Sequence, residues 1–444
     1  QAQLTFRMYE ANLQENRYNY DNWRDYYYPV NQMFGSHTWY PSFLMDVHTI
    51  SSKEDAFAWL SRLSQLNTQI ERLIEDLEKS KAKGIVAPKF VYAYVLKDCG
   101  NLLQGAPFDK NGVNPLVADY KKDVDALPGL TELDKQVLTD SANVLMLKVF
   151  KPAYEKLISY VIEMEKIATT DAGVWKFKNG DKYYLDRLKR TTTTNYTPQE
   201  IYEIGESEIK RIHAEMETIK TKVGFEGTLQ EFFTHIKNKE DLYYANTDEG
   251  RDAYLKANID IKDAMEARLD ELFITKPKAA LEVRRVEPYR EESAGTAFYN
   301  SPAPDGSRPG IYYANLYDMS QMPKYEMEAL TYHEAIPGHH MQLSIAQEIT
   351  NLPLFRTRDA HYTAYVEGWG LYSEFIPKEM GFYSDPYSDF GRLSMELFRA
   401  VRLVVDVGIH AKKWTREEGI QFYLDNTPSQ EGECVSMVER HIVM

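Results

Sequence analysis

The sequence predicts a mainly α-helical protein with a small antiparallel β-sheet placed beside one functional helix. Three observations carry that expectation. Apolar residues recur at three- and four-residue spacing through most of the 444-residue chain. Helix-start signatures are frequent, in which a Thr is followed three residues later by an acidic or amide side chain. Runs rich in Val, Ile, Thr and aromatic residues gather between about residues 282 and 316.

Taken in order, Asp55 to Lys79 places Phe57, Leu60, Leu63, Leu66, Ile70, Leu73, Ile74 and Leu77 on one helical face. Thr131-Glu132-Leu133-Asp134 opens a helical stretch to about Ile167, with a break expected at Pro152. Thr197-Pro198-Gln199-Glu200 combines an N-cap, a proline in the first turn and an acceptor at the third position, and starts a helix to about Lys222. A further helix covers Thr247 to Phe273, another about Tyr387 to His410, and Thr415 and Thr427 open two more. Between them, Val283–Val286, Thr296–Tyr299 and Gly310–Ala314 are β-prone, and Ser301-Pro302-Ala303-Pro304-Asp305-Gly306-Ser307 is turn material. An N-terminal helical region over 1–195 and a helical catalytic region over 196–444 follow, or one continuous domain.

The net charge of −15 and a pI near 5.3 argue against a nucleic-acid partner, which needs clustered Lys and Arg. The acidity is spread along helices and reads as solubility. Two cysteines, Cys99 and Cys434, cannot make a disulfide scaffold. No run of about 18 apolar residues offers a membrane span. If Gln1 follows a removed signal, the protein is exported or periplasmic; otherwise it is cytoplasmic. The sequence leaves the oligomeric state open.

The most informative segment is His333-Glu334-Ala335-Ile336-Pro337-Gly338-His339-His340, which holds three of the ten histidines. Neutral imidazoles hold a catalytic zinc ion, and a neighbouring carboxylate takes a proton from water. The pattern is close to H-E-x-x-H but departs from it, because the position of the second His is Pro337. On a regular helix His339 would stand roughly 120° from His333, and His340 about 10.5 Å further along the axis. Pro337 cannot donate to the carbonyl of His333 and interrupts the helix. A two-residue bulge at Pro337-Gly338 would return His339 to the ligand position, with His340 as the alternative. The competing reading is a set of core or solvated histidines in a kinked helix.

Catalytic zinc needs a third protein ligand. Glu367, in the segment His361 to Glu374, has aromatic and small neighbours that would make an unpaired buried carboxylate costly. Glu374, seven residues on, is spaced to accept from a ligating His. Each could instead be an ordinary helix glutamate. Arg402, Asp406 and His410 recur at four-residue spacing on one face, with Arg399 near it. His410 could donate to the oxyanion of a tetrahedral intermediate and an Arg could take a substrate carboxylate, or the group could be a buried pair tying helices together. Tyr312, Tyr313, Tyr365 and Tyr372 are further donor candidates.

The segments ALTYHEAIPGHHMQ (329–342), YVEGWGLYSE (365–374) and FRAVRLVVDVGIHAK (398–412) resemble the DUF885 family, bacterial proteins related to gluzincin-type zinc metallopeptidases. YYLDRLKRTTTT (183–194) and SRPGIYYAN (307–315) also fit, so the likeness spans nearly the whole chain. It implies a metallopeptidase-like site but no particular substrate. It also implies a Pro-Gly-Gln-Ala stretch and further helices after Met444, so part of a substrate site is expected beyond this sequence.

The expected mechanism has zinc on His333, His339 (or His340) and Glu367, Glu334 as general base, and His410 or a Tyr at the oxyanion. Mn, Co or Fe could occupy the same ligands. The expected substrates are short peptides. A hydrolase of another amide or ester, or a helical binding protein with a degenerate site, are the competing readings.

Overall fold

A computed structural model describes residues 2–286, 291, 295–304, 306–359 and 362–443. The helices are α1 (Ala2–Trp23), α2 (Ser36–Ser42), α3 (Lys53–Ser64), α4 (Leu66–Ala82), α5 (Lys89–Asn101), α6 (Pro115–Ala126), α7 (Glu132–Leu145), α8 (Lys151–Ile167), α9 (Gly180–Thr192), α10 (Pro198–Lys222), α11 (Leu229–Lys237) and α12 (Asp248–Glu266). Three strands follow, β1 (Leu281–Arg285), β2 (Ala297–Asn300) and β3 (Gly310–Ala314). The chain continues through α13 (Lys324–Glu334), α14 (His339–Glu348), α15 (Thr363–Glu379), α16 (Pro386–His410), α17 (Arg416–Asn426) and α18 (Glu431–Val443). The mainly helical expectation holds. Asp305 of the expected turn and His361 ahead of α15 lie outside the described residues.

The chain forms two compact units, one of Glu15–Gly180 with Glu439–Met444 and one of Gln1–Gln14 with Asp181–Val438. The first is built on α2 to α8. Trp59, Leu63, Ile70, Leu73, Val91, Val95, Tyr120, Phe150, Tyr154 and Leu157 make its core. Trp59 stacks on Tyr120 at 4.2 Å, and its indole donates to Leu44 O at 3.1 Å, so its one polar atom is satisfied inside the core. The stretch expected as a single helix from Asp55 to Lys79 is two, α3 and α4, meeting at Gln65. The break expected at Pro152 is a wider turn, Met146–Phe150, that runs without interruption into α8, where Pro152 is the second residue.

The second unit centres on α10, α13 and α16. Capping boxes at Thr197/Glu200 and Thr415/Glu418 start α10 and α17 where the sequence places them. Gly205 lets α10 lie close on α16: a Cβ there would stand 2.7 Å from Val404 Cγ2 and 3.0 Å from Leu403 Cβ.

The sheet has the order β1-β3-β2. β2 pairs antiparallel with β3, with Tyr299 opposite Tyr312. β1 pairs parallel with β3, with Val283 opposite Tyr312. The expected antiparallel sheet is therefore corrected to a mixed one. The reason is the composition of β3: Gly-Ile-Tyr-Tyr-Ala is apolar on both faces, all five residues are buried, and such a strand takes the centre of a sheet. Strand patterning shows that strands exist but not which strand lies between the others.

Candidate metal centre

The helix carrying His333 and Glu334 ends where the sequence expects an interruption. Ala335 leaves helical geometry (φ −98°, ψ −107°), and its N–H makes the last bond of the turn, to Thr331 O at 2.8 Å. The chain restarts as α14 at His339. Gly338 is required by close approach, because a Cβ there would stand 1.9 Å from His333 O. Trp369 of α15 donates its indole N–H to Pro337 O at 2.8 Å and pins the break.

The break brings the two imidazoles together. The rings of His333 and His339 lie 4.6 Å apart at 80°. His333 Nε2 is 3.6 Å from Glu367 Oε2, and His339 Nε2 is 3.8 Å from Glu367 Oε1. One ligand atom from each of His333, His339 and Glu367 falls within 4.8 Å of the others. Both imidazoles are buried while the Glu367 side chain is 55% exposed, so the group opens to one side. Between His339 and His340 the geometry chooses His339. His340 turns away, with Nδ1 3.0 Å from the Tyr299 hydroxyl and Nε2 3.1 Å from Ala279 O.

His333 is oriented from behind. Its Nδ1 lies 2.8 Å from Glu374 Oε1, and Arg399 Nη2 reaches the same oxygen at 3.1 Å. Gly370 lies flat on the other side of the ring: a Cβ there would be 2.5 Å from His333 Cε1. Glu374, spaced seven residues after Glu367, is the carboxylate that meets His333 Nδ1. Spacing puts Arg399 near the helix face of Arg402 and Asp406, with an Arg there expected to take a substrate carboxylate; its contact with the Glu374 carboxylate crosses between helices and cannot be read from spacing within one.

The charges follow from this packing. Burial would lower the His333 pKa, but the neighbouring Glu367 and Glu374 carboxylates outweigh it and raise it to about 9. Burial, helped by the positive His333, lowers His339 to about 4. The His333 imidazole, 3.6 Å away, takes Glu367 down to about 2, against its partial burial. Burial raises Glu334 to about 7, with the Glu367 charge adding to it and His333 opposing it. Among the described residues, Glu334 Oε2 is buried without a hydrogen-bond partner.

Other expected residues stand elsewhere. His410 lies eleven residues beyond Arg399 on α16, about 16 Å along the axis. It packs on the Tyr184 ring at 5.3 Å. Four-residue spacing aligned it with Arg402 and Asp406 but could not show which end of a long helix faces the centre. Asp406 accepts from the Tyr184 hydroxyl at 2.5 Å, and the Arg402 guanidinium lies 4.8 Å over the Phe398 ring. Tyr313 stacks on Phe298 at 5.0 Å and faces Val286 and Ile311. Its neighbour Tyr312 points to the opposite face, and the Glu334 charge helps raise its pKa well above the usual phenol value, after burial and Tyr254. The Tyr312 hydroxyl is 3.2 Å from Asn258 Oδ1. Tyr365 is exposed, and its contribution here is a carbonyl that accepts from Gln342 Nε2 at 2.8 Å.

Fold and site together define a mainly helical protein with a two-histidine, one-glutamate candidate metal centre spread over three helices. The chain belongs to the DUF885 family, described as bacterial protein of unknown function, which it matches over residues 1–444. It is similar to "the putative lipoprotein from Colwellia psychrerythraea", with 32% identity and a TM-score of 0.85, over 94% of this chain and 71% of that one. A "putative lipoprotein of unknown function from Shewanella oneidensis" shares the fold, with 15% identity and a TM-score of 0.69 over 99% and 77% of the two chains. A search of curated proteins finds no match.

Proposed function

We propose that this protein is a zinc-dependent hydrolase of peptide bonds, acting on short peptides. The observation that carries this reading is the meeting of His333, His339 and Glu367 within 4.8 Å, next to a buried Glu334 whose Oε2 has no partner among the described residues. The donor set fits zinc: two imidazole nitrogens and a carboxylate, with an exposed side left for a reacting group. His333 and His339 would each present Nε2, and Glu367 one carboxylate oxygen. When bound, zinc supplies Lewis acidity toward a carbonyl and lowers the pKa of water. Glu334, buried beside His333 with Oε2 unpartnered among the described residues, would take a proton from the attacking water and return it to the leaving amine. Glu374 and Arg399 hold the His333 ring in place during both transfers.

No helix among the described residues is long and apolar enough to cross a membrane. An exported location is part of the proposal, because the solved relatives are named as lipoproteins.

Two measurements test the reading. Elemental analysis should find about one zinc per chain, lost in His333→Ala. A peptide library should then be cleaved by the zinc-loaded protein. A chain that takes up no metal after zinc is added would end the proposal. Zinc uptake with turnover of amides or esters, but not peptides, would move it to a different hydrolase.

A further inference from the structure

The two imidazoles of the centre are supported differently. His333 has Glu374 behind it, 2.8 Å from Nδ1. His339 has no hydrogen-bond partner at Nδ1 among the described residues, although the atom is buried. Gln342 is three residues later on α14, a spacing that stacks side chains on one helix face, and it too is buried. Its amide N–H donates to Tyr365 O at 2.8 Å, which fixes which end of the amide is which. The other end, Oε1, is buried and likewise without a partner. A buried imidazole nitrogen that can carry a proton and a buried carbonyl acceptor therefore stand one helical turn apart, and Gln342 is close enough to bear on the charge of His339.

Resting on the zinc reading, we infer that Gln342 is the positioning residue for His339: its Oε1 accepts from His339 Nδ1–H when the centre is loaded. The bond fixes the tautomer, with the proton on Nδ1 and the Nε2 lone pair facing Glu367, where the ligand atom lies. It also links two ligands. Gln342 holds His339 through its oxygen and holds the first turn of α15 through its nitrogen, and Glu367 sits two residues after Tyr365. The centre thus has a carboxylate behind one imidazole and a neutral amide behind the other. A second carboxylate would add a negative charge beside Glu334, Glu367 and Glu374.

Two substitutions separate the halves of the amide. Gln342→Glu keeps the acceptor toward His339 and loses the donor toward Tyr365. Gln342→Met loses both at similar size. Zinc affinity is read by competition with a chromophoric chelator, and thermal stability on the metal-free chains. Both variants should melt lower than wild type. Zinc affinity should fall 10–100-fold in Gln342→Met and stay at or above the wild-type value in Gln342→Glu. Equal affinity in all three, or an equal loss in both variants, overturns the inference. If Gln342→Met does not fold, the wild-type ¹⁵N-histidine spectrum decides. A hydrogen-bonded Nδ1–H on His339 supports the inference, and an unprotonated Nδ1 overturns it. A wild type that binds no zinc ends the metal reading instead, and the same tautomer measurement on the metal-free chain still tests the Gln342 contact.

Discussion

Glu374 Oε1 lies 2.8 Å from His333 Nδ1, and this single bond decides which nitrogen of His333 faces outward. With Nδ1–H given to the carboxylate, Nε2 is left toward Glu367. Arg399 holds the carboxylate in turn, so orientation passes from α16 through α15 to α13. Replacing Glu374 by Ala should weaken zinc binding about 10–100-fold while the far-UV circular dichroism of the chain stays unchanged. Undiminished affinity would remove Glu374 from that role.

Glu334→Gln keeps the size of the side chain and removes its basicity. Zinc content should remain near one per chain. Turnover of any peptide found in the screen should fall by about 10²–10⁴. Turnover retained at the wild-type rate would mean that the proton leaves by another route.

Metal binding should be proton-linked. The metal-free His333 has its pKa raised to about 9 by Glu367 and Glu374, so near neutral pH a metal must displace its proton. Calorimetry in buffers of different ionisation enthalpy should show about one proton released per zinc at pH 7. Between pH 7 and 9 the affinity should rise about tenfold per unit. The sign for stability is the reverse. The folded value lies above the ordinary 6.5, so the proton stabilises the metal-free fold fully below pH 6.5, and that contribution, roughly 3 kcal/mol at most, is lost as pH rises toward 9. A flat melting temperature across this window in the metal-free chain would contradict the assignment.

Two glycines of α15 give a steric contrast. Gly370→Ala places a methyl 2.5 Å from the His333 ring, which must then move from its present place. Zinc affinity should drop by at least tenfold. Gly368→Ala meets nothing within 4 Å, so it should leave zinc binding alone and raise stability by up to about 1 kcal/mol through helix propensity. Equal behaviour of the two variants would show that the ring of His333 is free to move.

Much of the centre is legible in the sequence because helical geometry is regular enough to reason against. A proline where a ligand should stand predicts a break, and the break selects His339 over His340 once Gly338 and Trp369 are seen to shape it. Glu367 is picked out by its aromatic and small neighbours, and Glu374 by its seven-residue spacing from Glu367 on α15. What spacing cannot supply is contact between helices. Arg399 on Glu374, Trp369 on Pro337 and Gln342 on Tyr365 all cross from one element to another. His410 shows the same limit, since four-residue spacing aligns it with Arg402 and Asp406 but does not show that it packs on the Tyr184 ring. Tyr312 and Tyr313 differ only by the alternation of a strand, and which face meets Glu334 depends on a sheet order that pairing patterns leave open.

The two histidines stand on separate helices, and the glutamate on a third. An ion held by them would act as a rivet through three otherwise separate rods. Drawing it out with a chelator should loosen all three together, raising amide exchange at once at the end of α13, the start of α14 and the start of α15, and leaving α2 to α8 as slow as before.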